Sequence, residues 1–246
     1  MNGEVATTAT FITGGETIEL TITQKPKALK RLIFTLDVLF EDEYLAVIHK
    51  PAGILVSGNG FKTIAHALPQ NLRVSPLPDA TQPQPVHRLD YATTGALLVG
   101  KTSSAIRALN DLFAKGAVGK VYYAIAIGEM PSEGGITSEI DGKPSESHYE
   151  VAERVESERF GRLNLVKLKP KTGRRHQLRK HLASIGNPIL GDSTYGTEGM
   201  ILKRKGLYLH AYSLQFVHPV SQQSIYLADD LPQRFRKIFP SLDSSV

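Results

Sequence analysis

Three short segments of this 246-residue chain gather charged and aromatic side chains where a packed core would not place them. The first is His87-Arg88-Leu89-Asp90-Tyr91-Ala92-Thr93-Thr94-Gly95, between a proline-rich stretch and an apolar run. A lone Asp before a strand is ordinarily a turn or cap residue. Here an Arg stands two positions before it, and hydroxyls and a Gly follow. That makes a polar loop at the edge of a sheet, a usual place for a reactive or binding site. The second segment is Gly119 to Gly128. Alternation sets Val121, Tyr123, Ile125 and Ile127 on one face and Tyr122, Ala124 and Ala126 on the other. Tyr122 then has room over its ring for a flat ligand; the competing reading is that it fills the core. The third segment runs from Lys169 to His181 and carries Arg174, Arg175, His176, Arg179 and Lys180. At ~100° per residue, Arg175 and Arg179 lie on one side of a helix, beside a stripe of Leu178, Leu182 and Ile185. An Arg at the border of a buried stripe is partly desolvated and needs a carboxylate partner. The remaining cations either meet phosphates or form a solvated basic face.

The eight histidines raise metal chemistry, but His176 and His181 are five apart rather than the three or four that align ligands on a helix. HExxH is also missing, so no metal site is expected. With no cysteine in the chain, disulfides, thiolate zinc sites and cysteine nucleophiles are excluded. A net charge of +5 fits a polyanionic partner without requiring one. No apolar run approaches the ~20 residues that cross a bilayer, and the first residues do not read as a signal peptide, so no membrane association and a cytoplasmic location are expected.

These segments must be held by a scaffold, and the chain supplies mostly strands. Val38 to Phe40 and Tyr44 to Ile48 flank the acidic turn Glu41-Asp42-Glu43 and read as a hairpin. Gly95 to Lys101, Lys120 to Gly128, Ser147 to Val155, Leu163 to Leu168, Leu207 to Phe216 and Ser224 to Leu227 are further strands by β-branched content and alternation. One helix follows an N-cap at Thr102 or Ser103, buries Ile106, Leu109, Leu112 and Phe113, and stops at Gly116. A second runs from Arg175 to Ile185, with Gly186 closing it. Leu68 to Pro85, with five prolines, reads as an irregular loop beside the sheet. Many strands with few, non-alternating helices predict an α+β fold with a central, mainly antiparallel mixed sheet flanked by helices and loops. Residues 1–24 read as a short β-hairpin segment (Val5 to Ile12, Gly14-Gly15, Thr17 to Ile22), residues 25–35 as a basic linker, and residues 36–246 as the main domain.

Taken in order, the segments resemble the RluA-type family of RNA pseudouridine synthases over about residues 36 to 230. His49-Lys50-Pro51-Ala52-Gly53 is similar to the family's KPxG motif, and His87 to Asp90 with Thr94 to Lys101 to its central motif. Lys120-Val121-Tyr122 resembles K-x-Y, and Thr172-Gly173-Arg174-Arg175-His176-Gln177-Leu178-Arg179 resembles TGRxHQxR. Asn187 to Asp192 and Leu209-His210-Ala211 complete the series. Each motif alone is weak, whereas their common order is specific. Arg175, Lys180 and Tyr91-Ala92 depart from the family's commoner residues, which bears on substrate choice rather than on the reaction. The N-terminal segment resembles the closing hairpin of the small RNA-binding module that often precedes such domains.

The resemblance implies conversion of a uridine in RNA to pseudouridine without a cofactor, with ribosomal RNA the first choice of substrate and transfer RNA the second; a monomer is the default expectation. It implies a pseudouridine-synthase catalytic domain with Asp90 as the catalytic carboxylate, either nucleophile or base at C2′. Arg179 would keep Asp90 ionised, and Tyr122 would stack on the uracil and help remove its C5 proton. Arg88 would hold or replace the flipped nucleotide. His87, Arg174, Arg175, His176 and Lys180, with Lys203 to Lys205, would bind RNA. Two rivals are a non-catalytic RNA-binding protein of the same fold and a hydrolase pairing Asp90 with a histidine. The first is disfavoured because Asp90, Tyr122 and Arg179 are all present, and the second because Gly-x-Ser-x-Gly is absent.

Overall fold

Strand Val38–Glu41 (β1) turns into strand Leu45–Lys50 (β2) where the Asp42 carboxylate accepts the backbone N–H groups of Tyr44 and Leu45, at 2.7 and 2.8 Å. This computed structural model describes residues 5–7, 9–19, 32–202 and 206–243. The chain divides into two units, Met1–Lys30 and Arg31–Val246. Among the described residues no helix is long and apolar enough to cross a membrane.

The larger unit contains a ten-stranded sheet. After β2 come helix Ile64–Asn71 (α1), strands Ala80–Pro85 (β3) and Thr94–Thr102 (β4), helix Ser103–Ala114 (α2), and strands Gly119–Ile127 (β5), Glu133–Ile140 (β6), Lys143–Ser157 (β7) and Gly161–Pro170 (β8). Helix Gln177–Ser184 (α3), strands Leu209–Val217 (β9) and Ser224–Ala228 (β10), and the short helix Gln233–Arg236 (α4) follow. The main strand order is β1-β2-β4-β9-β5-β8-β7-β6, with β3 beside β4 and β10 beside β9. The β4–β9 pair is parallel and the others are antiparallel.

That parallel contact is short and it locates everything else. β4 and β9 pair through Thr94 with His210 and Gly95 with Ala211. Beyond it they separate, and β3 takes the freed edge of β4 while β10 takes that of β9. Gly95 sits at φ +120°, and a Cβ there would run into the Ala211 backbone, so only glycine permits the approach. β4 is buried along its whole length. Leu97 and Val99 face one core cluster with Ile64 and Leu68 of α1; Ala96 and Leu98 face another with Leu109 of α2. The third cluster joins β5 and β8 to Leu178 and Leu182 of α3 and to Phe235.

Several expectations need correction. Leu68 to Pro85 is not a loop throughout, since α1 reaches Asn71 despite Pro69 and β3 occupies Ala80–Pro85. Pro83 and Pro85 cannot donate to a ladder, but β3 contacts a single neighbour, β4, where this is tolerated. β6 is an additional strand whose two glycines hide its pattern; its hairpin to β7 turns at Asp141 and Gly142, both at positive φ. α3 begins at Gln177 rather than Arg175, after His176 in the left-handed region at φ 56°, and Ile185 lies beyond its end, 39 % exposed. α2 matches its expected caps: Thr102 accepts the Ala105 N–H at 3.1 Å, and Gly116 follows at φ +68°.

In the smaller unit no strand forms among the described residues 5–7 and 9–19. Backbone N–H groups are taken locally instead, Thr7 by the Thr10 hydroxyl and Thr13 and Gly14 by the Glu16 carboxylate. Such side-chain bonds compete with a cross-strand ladder, and an isolated hairpin has too little packing to win. Residues 20–22 of the expected second strand, residues 25–31 of the basic linker and Lys203 to Lys205 lie outside the described residues.

Candidate active site

Asp90 lies in the loop four residues before β4, whose first two residues pair with β9. Its loop is tied down from several sides. Leu89 is buried, and the Thr93 N–H bonds the Asp90 carbonyl at 3.1 Å. The Gly53 N–H donates to the Tyr91 carbonyl at 2.8 Å. Lys50, fully buried at the end of β2, donates to the carbonyls of Thr93, Pro51 and Tyr91 at 2.8, 3.0 and 3.3 Å. Burial lowers the Lys50 pKa to about 8, against the opposing pull of the Asp90 charge. The KPxG segment therefore holds the carboxylate loop in place from beneath.

The Asp90 side chain is 18 % exposed, and two side chains from the α3 region face its two oxygens. Arg179 Nη1 stands 3.6 Å from Oδ2 and His176 Nε2 stands 3.7 Å from Oδ1. Both contacts are longer than hydrogen bonds, so the carboxylate keeps its accepting capacity. Arg179 is fixed elsewhere. Its Nε and Nη2 each donate to Asp192 at 2.7 Å, a two-pronged pair in which the Asp192 side chain is wholly buried. Asp192 also accepts the N–H groups of Thr194 and Tyr195, at 2.9 and 3.0 Å. These bonds outweigh the cost of burial and hold its pKa below the usual carboxylate value. The Tyr195 ring lies under the guanidinium at 5.0 Å, and its hydroxyl bonds His176 Nδ1 at 3.0 Å.

Tyr122 enters from β5, opposite Ala211 and at a bulge, packed between two core clusters. Burial first, and the Asp90 charge second, push its phenol well above the ordinary range. Burial lowers the His176 pKa and the Asp90 charge opposes this, with Arg179, Arg175 and Lys180 adding to the lowering.

The structure thus gathers Asp90, Arg179, His176 and Tyr122 and leaves other expected residues apart. His87 stacks on Phe113 at 4.7 Å, and its Nε2 accepts the Leu98 N–H at 2.9 Å. That replaces a ladder bond of β4, and burial lowers the His87 pKa to about 3. Arg88 and Arg175 are exposed. Arg174 reaches the Pro144 carbonyl at 3.1 Å, and Lys180 pairs with Asp141 at 3.3 Å. Asp192, Tyr195 and Lys50 escaped the residue-level reading, although two of the quoted motifs contain Asp192 and Lys50. The signal for Asp192 was the requirement that Arg179 find a carboxylate, which Asp90 alone does not meet.

The match to known proteins decides the family. The model of the RNA pseudouridylate synthase family fits residues 44–184. The chain is 35 % identical over 229 residues to the dual-specificity RNA pseudouridine synthase RluA of Vibrio parahaemolyticus, covering 84 % of this chain and 89 % of that one. This chain belongs to the RluA-type RNA pseudouridine synthases. It is also 34 % identical to the ribosomal large subunit pseudouridine synthase C of Vibrio vulnificus, over 85 % of this chain and 70 % of that one. The solved structure of human RNA pseudouridylate synthase domain containing 4 superposes with a TM-score of 0.66 at 27 % identity, covering 84 % of this chain and 93 % of that one. The synthase is accordingly an isomerase that acts on RNA.

Proposed function

We propose that this synthase uses Asp90 as its catalytic carboxylate and requires no cofactor. The observation that carries the reading is the bracketing of Asp90 by Arg179 and His176, at 3.6 and 3.7 Å, in a loop anchored by buried Lys50. The reaction breaks the C1′–N1 bond of a uridine, turns the uracil and forms a C1′–C5 bond. The C5 proton leaves and N1 regains one, so atoms balance without a donor. An ionised carboxylate at the sugar serves either route, attack on C1′ or removal of the C2′ proton. Arg179 turns its Nη1 to that carboxylate, 3.6 Å from Oδ2, while Tyr122 stacks on the uracil.

The target base leaves its stack at a cost of a few kcal/mol. Arg88, exposed two residues from Asp90, would hold the vacated position, and Arg174, Arg175, His176 and Lys180 would meet the phosphates around it. His87, engaged by the β4 backbone, would only shape the loop. The substrate is ribosomal RNA first and transfer RNA second. The names of several relatives, which are ribosomal large subunit synthases, support ribosomal RNA as the first choice. Tritium release from RNA labelled at uracil C5 tests the proposal: wild type should release it and Asp90→Asn should not. Release that persists in the mutant would defeat the assignment. Pseudouridine mapping in cells with and without the protein identifies the RNA.

A further inference from the structure

The segment after α3 does more than connect it to β9. Asn187 donates to the carbonyls of Ile127 and Glu129, both at 2.9 Å, and Ile189 bridges Ala126 of β5. The Leu190 N–H bonds the Ile125 carbonyl at 2.8 Å, and the Tyr208 N–H bonds that of Leu190 at 3.0 Å. Residues 187–190 are therefore laced to β5, the strand that also presents Tyr122. At the end of this rigid run the chain turns through Asp192 to Tyr195, and the turn grips both side chains that face Asp90. Asp192 takes two of the nitrogens of Arg179 and leaves Nη1 toward Asp90 Oδ2. The Tyr195 ring backs the same guanidinium, and its hydroxyl meets His176 Nδ1. A phenol donating to Nδ1 places the imidazole proton on Nε2, the nitrogen that faces Asp90 Oδ1. His176 itself is in the left-handed backbone region without being glycine, a conformation retained only where its surroundings impose it.

We infer that the Asp192–Tyr195 turn is a positioning device that aligns two donors, Arg179 and His176, on the two oxygens of Asp90, with Asp192 acting through Arg179 and the Tyr195 hydroxyl through His176. This rests on the proposed role of Asp90. Asp192 bonds Arg179 and the Tyr195 hydroxyl bonds His176, while the Tyr195 N–H on Asp192 and the Tyr195 ring against Arg179 tie the two arms into one turn. Misplacing a group in such an arrangement lowers the rate by up to ~100-fold while leaving binding largely intact.

Two double-mutant cycles on single-turnover isomerisation, with RNA affinity measured alongside, test it. In the first, Tyr195→Phe keeps the ring and removes only the hydroxyl. The single variant should slow the step by about tenfold with unchanged affinity. In a His176→Gln background the same change should cost nothing further. In the second cycle, Asp192→Asn should slow the step by up to ~100-fold alone and add nothing in an Arg179→Lys background. Nitrogen NMR of the His176 ring supplies an independent readout. The proton should sit on Nε2 in wild type and redistribute between the nitrogens in Tyr195→Phe. If Asp192→Asn does not fold, the Tyr195 cycle and the NMR measurement still decide the question. Effects that multiply in the Tyr195 cycle, or an unchanged tautomer in Tyr195→Phe, would overturn the inference. If wild type is inactive on RNA or Asp90→Asn retains full activity, it is the reading of Asp90 that fails.

Discussion

Asp90 and Asp192 face the same guanidinium and are held in opposite ways. Asp192 is wholly buried and accepts four hydrogen bonds of 3.0 Å or less, two from Arg179 and two from backbone N–H groups. Asp90 is partly open and its charged neighbours stop at 3.6 and 3.7 Å. A buried carboxylate that already accepts four hydrogen bonds can orient others but has little left to give a substrate. One that is anchored through its backbone and loosely surrounded is free to react. The same contrast separates the cations. Lys180 is matched with Asp141, while Arg175 is exposed.

The largest effect should fall on activity at Asp90. Asp90→Asn is expected to lower the single-turnover rate by about 10⁴-fold, while unfolding in urea shows stability within about 1 kcal/mol of wild type. Asp192→Asn should behave in reverse proportion: a buried guanidinium loses its partner at a cost of about 3 kcal/mol, readable by the same denaturation. Equal destabilisation by the two variants would break the contrast. Among the cations, Arg175→Ala should reduce the slope of log affinity against log salt by about 1, and Lys180→Ala by clearly less. Equal slopes would mean that the Asp141 pair opens on binding.

The smallest effect concerns a second network at the β4–β9 pairing. His49 Nδ1 donates to Asp229 at 2.6 Å, and His210 Nε2 donates to the Asp229 carbonyl at 3.1 Å while its Nδ1 accepts the Thr94 hydroxyl at 2.8 Å. The bond to Asp229 raises the His49 pKa above its ordinary 6.5. A raised histidine contributes stability that is complete below 6.5 and is lost as pH climbs through the folded-state value. His49→Gln should remove that decline from a stability–pH profile just above pH 6.5, and an unchanged profile would contradict the assignment.

The alternating strands and the capped helix α2 were legible because local pattern and tertiary burial agree there. β3 was not, since Pro83 and Pro85 argue against a strand until the freed edge of β4 is seen. β6 carried its signal in Asp141-Gly142 rather than in its glycine-rich body. At the site, the demand of Arg179 for a carboxylate was readable, but which carboxylate would bind it most closely was a matter of three-dimensional competition that Asp192 wins. His87 looked like a site residue because it adjoins Arg88 and Asp90; in the fold its ring turns to Phe113 and the β4 backbone.

The most direct test is a paired single-turnover measurement of uracil isomerisation by Asp90→Asn and Asp192→Asn on one RNA, each with its folding stability. The account predicts a stable, inactive Asp90→Asn and a less stable Asp192→Asn that still turns over slowly. A folded Asp90→Asn within tenfold of the wild-type rate would contradict it.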